Sequence, residues 1–140
     1  MPKILIIDDE KSIRNSLREI LEYESYKVDE AVDGAQAFQM LQDGDYDCAL
    51  LDIKMPKMSG VELLRELKHL DPLLNVVVIT AFPSVEGAVE AMRHGACDFI
   101  TKPFDISQIQ AILYRCQQRV SLARQLRPAG AGMLKLEELN

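Results

Sequence analysis

Two periodicities alternate along this chain, and that alternation constrains its fold more than any other feature. Short aliphatic runs stand at Ile4–Ile7, Lys27–Val32, Cys48–Leu51, Val76–Ile79 and Phe99–Ile100. Each is too short for a helix, and several are rich in β-branched residues. Between them apolar residues recur at helical spacing: Ile13, Leu17, Ile20 and Leu21; Ala35, Phe38 and Leu41; Leu63, Leu64 and Leu67; Val85, Ala88, Val89 and Met92; then Ile109, Ile112, Leu113, Cys116 and Val120. Boundary signals fall in step. Ser59 with Glu62 and Asp105 with Gln108 read as capping boxes, Asp33 and Ser84 as N-caps, and Gly44 and Gly95 as residues that follow a helix. The pattern predicts an α/β fold of five strand–helix units. Right-handed crossovers then require a parallel sheet with helices on both faces. The unbroken Val76-Val77-Val78-Ile79 suits a strand buried on both sides.

At 140 residues the chain has the length of one domain. With 48% apolar and 27% charged residues it is neither disordered, collagen-like nor a coiled coil. No apolar run is long enough to span a membrane, and Met1-Pro2-Lys3 with four aliphatics leads straight into Asp8-Asp9-Glu10, unlike a signal peptide. A cytoplasmic location is therefore expected. Cys48, Cys97 and Cys116 are odd in number and lack C-x-x-C spacing, so they read as small apolar residues rather than a disulfide frame or zinc site. The net charge of −6 argues against direct nucleic-acid binding. That charge is uneven: residues 1–105 carry 11 basic and 20 acidic side chains, residues 106–140 five and two.

In an open α/β sheet, ligands bind beyond the carboxyl ends of the strands. The residues there are Asp8-Asp9-Glu10 after the first run, Asp52 after the third, Thr80-Ala81 after the fourth and Thr101-Lys102-Pro103 after the fifth; the second offers only Asp33-Gly34, a turn and cap. If the first, third, fourth and fifth strands are neighbours, carboxylates, a hydroxyl and one ammonium converge. Two carboxylates ~4 Å apart repel by about 4 kcal/mol at an effective dielectric of ~20, so such a cluster must protonate or hold a cation. Oxygen-only acidic ligands with room for water and phosphoryl oxygens suit Mg²⁺.

This ordered set resembles the response-regulator receiver domain of two-component signalling. Asp8-Asp9, Asp52 in LLDIKMPKMSG, Thr80-Ala81 in VVVITAF and Lys102-Pro103 in DFITKPF carry the likeness, over about residues 2–122. LLDIKMPKMSGVELLRELK and TAFPSVEGAVEAMRHGACDFITKPF look most like receivers of nitrogen-regulation-type sigma-54 transcription activators. The resemblance implies a flavodoxin-like, three-layer (βα)5 domain with strand order 2-1-3-4-5, covering residues 1–124, with 125–140 as linker or C-terminal tail. It implies Asp52 as phosphoacceptor from a histidine kinase or phosphotransfer protein. It places Mg²⁺ on Asp8, Asp9, Asp52 and the backbone carbonyl of Lys54, and makes Lys102 the phosphoryl counter-ion, with a cis bond before Pro103. Thr80 and Phe99 would form the switch; Phe99 stands where the family often has Tyr and lacks its phenolic hydroxyl, so the switch must rest on packing. Output would be read on the fourth helix, fifth strand and fifth helix, also a possible homodimer face. There Arg115, Arg119, Arg124 and Arg127 could meet acids such as Glu86 and Glu90 of a second copy, or simply be solvated. Lys54 and Phe82 flank the route of hydrolytic water, and Phe82 is expected to shield the acyl phosphate.

Other classes fit less well. A dehalogenase-type phosphatase needs an acid two residues after its nucleophile, where this chain has Lys54. A flavodoxin binds phosphate after the first strand, where three acids stand, and a P-loop switch needs a Gly-Lys pair that the chain lacks. The expected activity is thus that of a phosphorylatable switch with at most self-catalysed phosphotransfer and slow autodephosphorylation, not that of an enzyme.

Overall fold

The computed structural model describes residues 2–53, 59–81 and 84–126. Strands and helices alternate: β1 (Lys3–Ile7), α1 (Lys11–Tyr23), β2 (Lys27–Ala31), α2 (Gly34–Asp43), β3 (Cys48–Asp52), α3 (Ser59–Leu70), β4 (Asn75–Thr80), α4 (Val85–Arg93), β5 (Asp98–Thr101) and α5 (Ile106–Leu126). The strands form one parallel sheet in the order β2-β1-β3-β4-β5. Both the five-unit α/β reading and the implied strand order are borne out.

Side chains alternate across each strand, so one strand feeds two cores. Ile4, Ile6, Leu50, Val77 and Ile79 pack with Leu17 and Leu21 of α1 and Ile109, Ile112 and Leu113 of α5. Leu5, Ile7, Leu51, Val76 and Val78 face the other way, onto Ala37 of α2, Leu64 and Leu67 of α3 and Ala91 of α4. Every residue of β4 is buried, which explains its unbroken aliphatic run. Edge strand β2 instead mixes buried Val28 and Ala31 with charged residues. Cys48 and Cys116 are buried and free, their sulfurs 4.0 Å apart, while Cys97 is half-buried.

Several boundaries and faces differ from expectation. β2 stops at Ala31 because the Val32 N–H donates to Gln36 Oε1 at 2.8 Å instead of to the sheet. Asp33 and Ser84 cap α2 and α4, accepting from Gln36 N at 2.8 Å and Gly87 N at 2.9 Å, and Asp105 exchanges two such bonds with Gln108. Ser59 opens α3 rather than preceding it, and its side chain lies outside the described residues. Gly95 has the left-handed φ of 105° that ends a helix. Gly44 does not: its φ is −110°, and it is needed for space, since a Cβ there would stand 2.5 Å from the Tyr46 ring. On α2, Ala37 rather than Ala35 is buried. The α4 stripe does not enter the core either: Val85, Val89 and Met92 are exposed and Ala91 is the buried residue, because α4 turns its smallest side chains to the sheet.

Candidate functional site

Parallel register brings four strand ends together. Ile7 pairs with Leu51, Asp52 with Ile79 and Thr80 with Thr101, so the residues just beyond them share one rim. Asp8 and Asp52 are nearly closed off, with side chains 1% and 5% exposed. Lys102 reaches between them, donating from Nζ to Asp8 Oδ2 at 3.2 Å and lying 3.1 Å from Asp52 Oδ1. Burial alone would favour neutral lysine. The hydrogen bond to Asp52 and the charges of Asp52 and Asp8 outweigh it and raise the Lys102 pKa, so the ammonium stays charged at neutral pH. The Lys102 N–H donates to the Thr80 carbonyl at 2.7 Å, and the Lys102–Pro103 peptide is cis as expected. Thr80 is buried at the end of β4, the strand beside the one that carries Asp52.

Asp9 and Glu10 lie exposed beside Asp8, and carboxylate oxygens of all three stand within 4.8 Å of one another. Several hard oxygens and one ammonium leave a surplus of negative charge at a solvent-reachable edge. This donor set fits a hard divalent cation that keeps part of its water shell. Lys54 and Phe82 lie outside the described residues. Phe99 is half-buried and packs on the α2–α4 side of the sheet, away from the α1–α5 core.

One set of residues had no role in the sequence reading. Arg14 donates from Nη1 to the Asp8 carbonyl at 2.8 Å and from Nε to Glu30 Oε1 at 2.9 Å; Arg18 Nε holds Glu30 Oε2 at 2.5 Å. Their only signal was i,i+4 spacing on α1 opposite an acid in β2. The basic face of α5 is also partly engaged within the chain: Arg115 pairs with Asp98 at 2.6 Å and Arg119 donates to the Cys97 carbonyl at 3.2 Å, while the Arg124 side chain and Arg127 lie outside the described residues. Glu90, one of the acids that could meet a second copy, pairs with Arg93 of its own helix and with His94, the residue that caps it. No helix among the described residues is long and apolar enough to cross a membrane.

Residues 4–114 match the family model of the response regulator receiver domain. The chain is 35% identical over 125 residues to the regulatory protein AtoC of Escherichia coli, covering 89% of this chain and 27% of that protein. It is 39% identical over 110 residues to the transcriptional regulatory protein ZraR of the same species, covering 79% and 25%. It thus spans about a quarter of the length of these relatives. Among solved structures, NtrX from Brucella abortus superposes with a TM-score of 0.81 at 35% identity, over 90% of this chain and 28% of that one. A CheY-like receiver from Methanospirillum hungatei gives 0.77 at 31%, over 85% and 96%. AtoC, ZraR and NtrX agree with the likeness to nitrogen-regulation-type receivers. With the acidic rim, the bridging lysine and the 2-1-3-4-5 sheet, these matches place the chain in the response regulator receiver domain family.

Proposed function

We propose that the chain accepts a phosphoryl group on Asp52 from the phosphohistidine of a sensor kinase or phosphotransfer protein and passes its state to an output, transcription being the one its relatives' names suggest. The observation that carries this reading is Lys102 held between Asp8 and Asp52 in a nearly closed rim. An ionised carboxylate needs no adjacent base to act as nucleophile. An Asp52 oxygen forms the new P–O bond as the P–N bond to the donor imidazole breaks, and the bonding pair leaves with the imidazole. Lys102 supplies positive charge to the transferring group and stays near Asp52 through the step. Asp8, Asp9 and Asp52, with the Lys54 carbonyl, would hold Mg²⁺, which would supply positive charge against the phosphoryl oxygens. Thr80 would offer its hydroxyl to the new acyl phosphate, and Phe99 would repack in response, switching the α4–β5–α5 face.

Ile13 and Ile20 of α1 and Pro103, Phe104 and Ile106 line a largely apolar groove that Lys102 also borders. It suits a helix carrying the phosphohistidine, whose apolar flank can dock while the imidazole reaches the rim. The reading is tested by incubation with Mg²⁺ and acetyl phosphate or beryllofluoride, then intact mass and gel filtration. Wild type is expected to gain one phosphoryl group and Asp52→Asn none. Equal modification of both, or none of wild type, overturns the assignment, and gel filtration reports whether the modified α4–β5–α5 face pairs two copies.

A further inference from the structure

Strand β2 contributes no carboxylate to the rim, yet it holds Asp8 twice. The Asp8 N–H donates to the carbonyl of Ala31, the last residue of β2, at 3.1 Å. The Asp8 carbonyl accepts from Arg14, whose guanidinium is oriented by Glu30, the residue before Ala31. Glu30 in turn is fixed on its second oxygen by Arg18, which also pairs with Glu22 at 2.9 Å. The Asp8 side chain is committed as well: Oδ1 accepts from the Glu10 N–H at 2.8 Å and Oδ2 from Lys102. Main chain and side chain are therefore both positioned, and removing the Arg14 bond leaves the Ala31 carbonyl as the remaining hold on the Asp8 main chain, loosening the β1–α1 loop that also carries Asp9 and Glu10. The Arg14 side chain is largely buried and Glu30 partly so, which strengthens these charge-assisted bonds relative to a solvated pair. Glu30 also neutralises the guanidinium, so Arg14 can stand close behind a cation site without opposing it through charge.

We propose that Arg14, braced by Glu30 and Arg18, is a positioning residue that sets the metal affinity of the Asp8–Asp9 loop. It touches neither metal nor phosphoryl group; it acts by fixing the Asp8 carbonyl. The proposal rests on the Mg²⁺ reading of the rim. Outer partners that orient metal ligands typically affect affinity by about 10–100-fold.

The test is calorimetric titration of Mg²⁺ into the unphosphorylated full chain. Arg14→Met is expected to weaken the Kd about tenfold, and Glu30→Gln, which keeps the side-chain shape, by a smaller but measurable factor. Arg115→Met serves as control: it breaks an arginine–aspartate pair on α5 and β5 away from the loop and should leave the Kd unchanged. Kd values within twofold of wild type for both Arg14→Met and Glu30→Gln, or equal weakening in Arg115→Met, overturn the positioning role while leaving the metal site standing. Failure of wild type itself to bind Mg²⁺ overturns both.

Discussion

Helices α1 and α4 flank the same rim and carry similar apolar stripes, but the fold treats them differently. α1 sinks Leu17 and Leu21 completely into the core and clips its polar edge to β2 through Arg14, Arg18 and Glu30. Each such leucine contributes roughly 1.5–3 kcal/mol of burial. α4 buries Ala91 and leaves Val85 81% exposed, with Val89 and Met92 about half so. Its two ends are marked by the Ser84 cap and the left-handed Gly95 turn. One flank is thus a fixed reference for Asp8, and the other can shift while exposing little new apolar surface. A two-state switch needs both, because a site that moves as a whole cannot transmit a change.

Four measurements would break or sharpen this contrast. The largest effect is expected for Leu17→Ala, about 3–5 kcal/mol less stable in denaturant unfolding, since the cavity lies under α1 with little room to collapse. Lys102→Met comes next. It removes the shared partner of two buried carboxylates and is expected to cost about 2 kcal/mol, a loss that millimolar Mg²⁺ should reduce. The third is a stability–pH profile. Burial opposes ionisation of Glu30, but its hydrogen bonds from Arg18 and Arg14 prevail, so its folded pKa lies below the usual 4.5. Its contribution is therefore full above the unfolded value and disappears as pH falls through the lower folded one. Glu30→Gln should be less stable than wild type at neutral pH, with the gap closing below about pH 4.5. A gap that persists in acid would show that the clamp works through shape alone. The smallest effect belongs to α4: Val85→Ser should change stability by less than about 0.5 kcal/mol. A larger loss would mean that α4 is anchored by more than its buried face.

Much of this is legible in the sequence. The five aliphatic runs became β1 to β5, and Asp8, Asp52, Thr80 and Lys102 arrived at one end of the sheet because parallel strands all point their carboxyl ends the same way. The α4 stripe misled. Helical spacing reports that one face is apolar and not which face meets the core, and Ala91 won that place because α4 packs its small side there. Gly44 misled for a related reason: a glycine after a helix suggests a left-handed turn, whereas here the Tyr46 ring takes the space of its Cβ. The Arg14–Glu30–Arg18 clamp was invisible, since its members are separated by up to 16 residues and look like an ordinary charged helix and edge strand.

By itself, then, the sequence determined the order of elements, the family and the chemical groups of the rim. These follow from local periodicity and from residue types at strand ends, both properties of short segments. Tertiary structure decided which carboxylates share Lys102, how Asp8 is held from behind by a strand that supplies no ligand, and which helix keeps its apolar stripe in solvent. Those outcomes depend on register between strands and on how each helix rotates about its own axis as it docks, and no single segment encodes either.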